Sequence, residues 1–258
     1  MKRIDYEDLL MQMKGLIVES PYIVTSDILS NVSIGQPFET YIYQFLKQKW
    51  PHSLFKQHEY IKDIYLKNTK IISTEARRAL YDSPTILYVL IETGNEWNDL
   101  PENIFQEKQN DTANIVFYDK GYYEFIDVKT RNRNKDAQAP NIISAYKLAK
   151  TCNCMIDNDE FENLGINYIE IDWVENRDQL KCVDAHYGNL FKANPNTLYI
   201  NWAADMQIQH HVCDLDQTWE GTHKEWAKEY IRAFVESAKH RCQRMQDMYI
   251  TPFLKYLD

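Results

Sequence analysis

One segment in the middle of the chain constrains the fold most strongly, because it joins two β-rich runs across a short turn. The runs cover residues 114–118 and 122–129, and Asp119-Lys120-Gly121 lies between them. Runs rich in Ile, Val, Phe and Tyr on either side of a glycine-containing turn are typical of a hairpin. The sequence therefore predicts two antiparallel strands, followed by a polar loop over residues 130–138.

Helical periodicity is clearest after Pro37, where apolar residues recur every three or four positions. The recurring residues are Phe38, Tyr41, Ile42, Phe45 and Leu46. This spacing predicts an amphipathic helix, with Pro37 in its first turn and Pro51 beyond its end.

Three further helices are expected from the same kind of pattern. One covers residues 74–81, and a second follows Pro140 and includes the apolar positions of 142–149. The last helix begins at Thr222, because Glu225 three residues later completes a capping box.

Alternation with a period of two predicts strands at residues 167–173 and 197–201. The stretch 84–91 is apolar throughout and is compatible with either a buried strand or a buried helix. Residues 1–34 follow no clean period. We expect one domain over residues 1–258, with 1–34 as a poorly predicted N-terminal arm.

Composition is that of an ordinary folded protein, with 44% hydrophobic and 26% charged residues. No apolar run approaches the roughly 20 residues of a membrane span, and Asp5 and Glu7 stand where a signal peptide would be apolar. We therefore expect a cytoplasmic protein that is not bound to a membrane. Its five cysteines lack zinc-site spacing, so we expect reduced thiols.

Charge is distributed unevenly along the chain. The formal net charge is −9, which taken alone disfavours a nucleic-acid partner. Between Lys120 and Lys150, however, seven basic residues face three acidic ones, a local balance of +4. Such a basic stripe fits a channel for a polyanion, although a solvated charged loop would have the same composition.

The tripeptide Asp127-Val128-Lys129 is the strongest candidate for chemistry. In a strand Asp127 and Lys129 project from one face, and Val128 points into the core. A carboxylate can hold Mg²⁺, and a lysine beside it can orient or deprotonate water and offset charge that grows on a phosphate. The alternative is an exposed ion pair of little consequence. His210 and His211 point to different faces and are expected to be structural.

Several longer motifs carry a resemblance to a known family. They read N-D-T-A at 110–113, D-V-K-T-R-N at 127–132, A-P-N-I-I-S-A-Y-K-L-A at 139–149 and L-Y-I-N-W-A-A at 198–204. In this order and spacing they resemble the HincII and HindII type II restriction endonucleases of the PD-(D/E)xK superfamily. The similarity extends from about residue 35 to residue 253.

The resemblance implies an α/β fold with a mixed β-sheet flanked by α-helices. It also implies a homodimer that uses Mg²⁺ to cut double-stranded DNA at the centre of GTYRAC, leaving blunt ends. By position, Asp127 and Lys129 match the family's active-site acid and lysine, and Gln138 matches a side chain that inserts into the DNA. The other positions in matching DNA-contact motifs are Arg131, Ala139, Asn141, Tyr199 and Asn201.

The sequence departs from the family pattern at one important position. Where the pattern has the first acidic residue of the motif, and so a second metal ligand, this chain has Asn114. An asparagine offers an amide oxygen without a negative charge. Asp111 could replace the acid only if the chain bends between the two positions, because an odd offset along a strand reverses the face. A sequence-specific DNA-binding protein with impaired or lost cleavage is therefore the alternative to an active nuclease.

Overall fold

The structure, a computed structural model, describes residues 3–20, 35–65, 72–91, 113–136 and 138–257. The helices of these ranges are α1 (Tyr6–Met13), α2 (Gln36–Lys49), α3 (Gln57–Tyr65), α4 (Thr74–Tyr81), α5 (Pro84–Ile91), α6 (Ala145–Asn158) and α7 (His223–Met245). The strands are β1 (Ile17–Glu19), β2 (Leu54–Lys56), β3 (Ile115–Asp119), β4 (Tyr122–Asn132), β5 (Asn141–Ser144), β6 (Leu164–Asn176), β7 (Gln179–Asn189), β8 (Ile200–Asn201) and β9 (Gln207–Gln209).

Six strands form one mixed sheet in the order β1-β7-β6-β4-β3-β2. Strands β4 and β6 run parallel, and the other neighbouring pairs run antiparallel. Helix α6 lies in the connection from β4 to β6, as a parallel pair requires. The long central strands β4, β6 and β7 therefore form a rigid base for side chains at their ends.

Two apolar clusters cover the two faces of this sheet. The larger cluster contains Phe125 of β4 together with residues of α3 to α7, including the fully buried Trp226 of α7. The other contains Ile126 and Val128 of β4 and apolar residues of α1 and α2. Because neighbouring residues of β4 enter opposite clusters, the mixed sheet is flanked by helices on both sides.

The remaining strands, β5, β9 and β8, form a separate three-stranded sheet in that order. Both pairings are antiparallel, and β9 is the middle strand. This small sheet brings together two segments of the chain that are separated by more than fifty residues.

Most of the predicted elements are confirmed. The hairpin is β3 and β4, the helix after Pro37 is α2, and the helix predicted over 74–81 is α4. The ambiguous stretch 84–91 is a helix, α5. Thr222 begins α7 with both capping-box hydrogen bonds to Glu225. In the N-terminal arm, α1 and β1 pack on the sheet, while residues 1–2 and 21–34 lie outside the described part of the chain.

Two predictions of secondary structure are wrong in part. Ile142 and Ile143 belong to strand β5 and not to the helix after Pro140, because Asn141, Ile143 and Ser144 pair with β9, with Ile142 at a register shift. The Ser144 side chain then caps α6 by accepting from Lys147 N. The strand predicted at 197–201 is reduced to Ile200–Asn201, since Pro195–Thr197 forms a 3₁₀ turn.

No helix among the described residues combines the length and apolar character needed to cross a membrane. Each of the five cysteines is a free thiol.

Candidate active site

One face of strand β4 changes from apolar to charged side chains along its length, and the candidate catalytic pair lies on the charged part. Tyr123 and Phe125 on this face belong to the apolar core, whereas Asp127 and Lys129 follow on the same face as charged residues. Lys129 Nζ lies 2.7 Å from Asp127 Oδ2. Val128 between them is buried in the opposite cluster, as the sequence predicts.

The Asp127 carboxylate is held in a largely buried environment. Its side chain is 11% exposed, and that of Lys129 is 25% exposed. Burial raises the pKa of Asp127 above its ordinary value, and the attraction and hydrogen bond of Lys129 oppose that rise. Buried charges in proteins are paired with opposite charges or coordinate metal ions, so a second cation beside Lys129 would stabilise the charged form of this carboxylate.

Asn114 lies next to this pair, at the start of β3. Its backbone N–H donates to Ile126 O at 3.0 Å. Its side-chain Oδ1 accepts a hydrogen bond from Val128 N at 2.6 Å. Because Val128 N–H can only donate, the amide is oriented with its oxygen toward the strand, and the group left over is the donor Nδ2.

Gln57, the first residue of α3, supports Asn114 and was not singled out by the sequence. Its backbone N–H donates to Asn114 O at 3.0 Å, and its Oε1 accepts from Ala113 N at 2.9 Å. Gln57 is 1% exposed. Neither periodicity nor a motif marks this residue, because its contacts join segments about fifty-six positions apart.

The residue before α2 packs closely against β4 beside the candidate catalytic pair. A Cβ atom at Gly35 would lie 2.4 Å from Oγ1 and 2.7 Å from Cγ2 of Thr130. Only glycine allows this approach. The contact fixes where α2 begins relative to Lys129.

The oxygen atoms here match the kind of ligand that a hard divalent cation prefers. Asp127 supplies a carboxylate, and Asn114 Oδ1 retains one lone pair beyond its bond to Val128 N. The donor set thus fits Mg²⁺ in kind but brings only one negative charge. Within the described ranges, no group of three or more His, Cys, Asp or Glu residues could hold a metal. Asp111, the proposed substitute for the missing acid, lies outside those ranges.

The residues expected to contact DNA lie largely on and around the small sheet. Gln138 and Asn141 are exposed and Ala139 is half-buried. Tyr199 is 61% exposed, and Asn201 lies in β8. The structure therefore gathers the predicted positions at 138–141 and 199–201 in one region.

Strand β9 joins these two segments through His210 and Gln209. His210 N donates to Pro140 O at 3.3 Å, and its ring Nε2 accepts from Tyr199 N at 3.0 Å. Burial lowers the pKa of His210, which favours the neutral ring that can accept this bond. Gln209 contacts both Asn141 and Asn201 through its side chain.

Glu170 of β6 links the residues after β9 to the strand beside the candidate catalytic pair. It is fully buried and stands opposite Lys129 in the register of β4 and β6. His211 Nδ1 lies 2.7 Å from one carboxylate oxygen, and Val212 N donates to the other at 2.6 Å. The two adjacent histidines thus have separate structural contacts, as expected.

The basic stripe predicted from the sequence is not continuous. Lys120 lies at the β3–β4 turn, nine positions and at most about 30 Å from Lys129, and Lys147 is buried in α6. Arg131 remains on the face of Lys129. Its buried Nε has no hydrogen-bond partner in the described part of the chain.

A mixed sheet whose central hairpin presents Asp-x-Lys beside the amide oxygen of Asn114 has the nuclease fold of the PD-(D/E)xK class. The family model described as restriction endonuclease HincII matches residues 9–257. The chain therefore belongs to the HincII restriction endonuclease family.

Two curated relatives support this membership along nearly the whole chain. The type II restriction enzyme HindII of Haemophilus influenzae is 49% identical over 255 residues, which are 98% of this chain and 97% of that enzyme. The type II restriction enzyme HincII of the same species is 48% identical with the same coverage. Among solved structures, the NlaIV restriction endonuclease aligns with 46% of this chain and 57% of its own, at 12% identity and a TM-score of 0.26.

Proposed function

We propose that this protein is a Mg²⁺-dependent type II restriction endonuclease. Its substrate is double-stranded DNA, which it cuts at palindromes related to GTYRAC to leave blunt ends. The single observation that carries this proposal is the Asp127–Lys129 pair at 2.7 Å on a sheet of this class. We place the enzyme in the cytoplasm, with the DNA on which it acts.

The reaction is hydrolysis of a phosphodiester. A water oxygen attacks phosphorus, the bond to the leaving oxygen breaks, and that oxygen takes a proton. Lys129 orients or deprotonates the water and offsets negative charge on the phosphate. Asp127, with Asn114, would hold Mg²⁺, which when bound polarises the phosphate and lowers the pKa of water.

Asn114 weakens this site without removing it. One oxygen of an aspartate could accept from Val128 N while the other bound the cation, but Asn114 has a single oxygen for both tasks. The relatives that match this chain are named as restriction enzymes, which favours an active enzyme over a binding protein without cleavage. Asp111 is retained as a second candidate acid.

DNA recognition is proposed for the surface around the small sheet. Amide side chains can read base edges by paired donors and acceptors, and exposed Asn141 and neighbouring Asn201 are of this type. Gln138 would insert at the central pyrimidine–purine step, which is easily deformed. Ala139 and Tyr199 would contact the adjoining DNA, and the Arg131 guanidinium would contact a phosphate.

We propose a homodimer because cutting both strands at a palindrome needs two active sites related by a two-fold axis. The segment 245–257, the C-terminal arm, offers an exposed apolar surface. Its exposed apolar side chains are Met245, Met248, Tyr249, Ile250, Phe253, Leu254, Tyr256 and Leu257. An apolar series of this length marks an interaction site, and a second copy of the chain is the partner that the palindrome requires.

The experiment is digestion of a plasmid that contains several GTYRAC sites, with Mg²⁺ or with EDTA, followed by sequencing of the ends. Lys129→Met is expected to abolish cutting, whereas Lys228→Met, a control on the exposed side of α7 and outside the basic stripe, keeps it. Discrete blunt fragments that require Mg²⁺ support the proposal. Intact plasmid with a retained band shift would support the binding protein instead, and the absence of both would reject a role in DNA recognition.

A further inference from the structure

We propose that Gln209 is a positioning residue for base specificity, which makes Asn141 present its amide N–H₂ group to the DNA. Asn141, Gln209 and Asn201 lie on the three strands of the small sheet. Gln209 belongs to none of the motifs that carry the family resemblance. The inference rests on the proposed function, because it treats Asn141 as a reader of base edges.

Three side-chain amides form one hydrogen-bonded chain across this sheet. Asn201 Nδ2 donates to Gln209 Oε1 at 2.7 Å. Gln209 Nε2 in turn donates to Asn141 Oδ1 at 2.8 Å. Gln209 is the only member that contacts both others, since Asn141 and Gln209 are register partners while Asn201 stands opposite Gln207.

The direction of this chain is fixed by a backbone group. Ala203 N donates to Asn201 Oδ1 at 3.0 Å. A backbone N–H has no acceptor capacity, so the oxygen of Asn201 must face it and the Nδ2 must face Gln209. Gln209 therefore accepts with Oε1 and faces Asn141 with Nε2. Because Nε2 donates, Asn141 turns its oxygen toward Gln209.

The consequence concerns what Asn141 offers to a base. In the described part of the chain its Nδ2 has no hydrogen-bond partner, and the residue is exposed. Asn141 therefore presents two donors, which match acceptors in the major groove such as guanine O6 and N7, adenine N7 or thymine O4. Without the hydrogen bond from Gln209, the Asn141 amide could rotate and present its oxygen to a different base.

The test reverses the direction of the hydrogen bond between residue 209 and Asn141 by means of a nearly isosteric substitution. In Gln209→Glu both carboxylate oxygens accept, so Asn141 must turn its Nδ2 inward and present its oxygen. We expect affinity for the parent duplex to fall about 10- to 100-fold. We also expect preference to shift at one base pair of each half-site, toward bases that present an amino donor. Competition binding in EDTA, with every symmetric single base-pair change, measures both effects.

Gln207→Glu is the matched control, because it adds the same charge to the same strand and face without entering the chain. Gln207→Glu should lower the affinity for every duplex of the panel by a similar factor. Gln209→Met supplies a second variant of similar size, and it should lose discrimination at the same base pair without reversing it. Thermal unfolding of each variant establishes that it is folded.

The outcomes separate the two levels of the proposal. If the wild-type protein prefers one duplex but both Gln209 variants keep its ranking of the panel, the positioning role is wrong and the proposed function stands. If the wild-type protein shows no preference among duplexes, the proposed function fails and this inference fails with it.

Discussion

Replacing Asn114 with aspartate should strengthen Mg²⁺ binding at the proposed metal site. At an effective dielectric constant of 20, two unit charges 4 Å apart interact by about 4 kcal/mol. A new carboxylate therefore attracts a bound dication by about 8 kcal/mol at that separation. This is an upper bound on the gain in Mg²⁺ binding free energy, because desolvation of the new charge reduces it. The repulsion between the new carboxylate and Asp127 is present with and without the ion and does not enter that gain. We expect the Mg²⁺ concentration at half-maximal cleavage to fall about 10²- to 10³-fold.

The assay is the initial rate of plasmid cleavage across a Mg²⁺ titration. The bond from Val128 N is retained, since an aspartate oxygen replaces Asn114 Oδ1 in the same position. Asn134→Asp is the control, because it adds the same charge to an exposed residue of the loop after β4. Equal shifts in both variants would show that general charge, and not a ligand at 114, changes the titration. A shift below twofold for Asn114→Asp would refute the assignment of this residue to the metal site.

Three further predictions concern stability and assembly. Burial raises the pKa of Glu124 in spite of its hydrogen bonds from Tyr6 and Asn167. The native state therefore binds more protons than the unfolded chain. Because of this difference, the free energy of unfolding falls as pH rises through the raised pKa. In urea unfolding, Glu124→Gln should abolish that fall, and an unchanged pH dependence would contradict this. Gly35→Ala should cost about 1–3 kcal/mol by crowding Thr130, and Thr130→Ala should restore the lost stability if the crowding is real. Phe253→Ser should raise the dimer dissociation constant about tenfold or more in sedimentation, whereas Tyr146→Ser, an exposed aromatic residue on α6, should not.

What the sequence predicts well is local. The spacing of Asp127 and Lys129 on one strand determines their common face, and the i, i+3, i+4 pattern after Pro37 determines α2, because neither depends on a distant partner. Ile142 and Ile143 show the opposite case: their residue types suit a helix or a strand, and pairing with β9, more than sixty positions later, decides for the strand. The contacts of Gln57 and Gln209 are likewise set by distant segments.

The same distinction explains how recognition and chemistry are connected in this molecule. The candidate catalytic pair depends on one strand, but the three hydrogen-bonded amides depend on three segments that β9 holds together. Glu170 anchors β9, since its two oxygens engage His211 and Val212 just after β9. Glu170 also stands opposite Lys129 in the parallel pair. A displacement of β9 by DNA would therefore act on the strand next to Lys129, so under the proposed function base reading and cleavage are connected through Glu170.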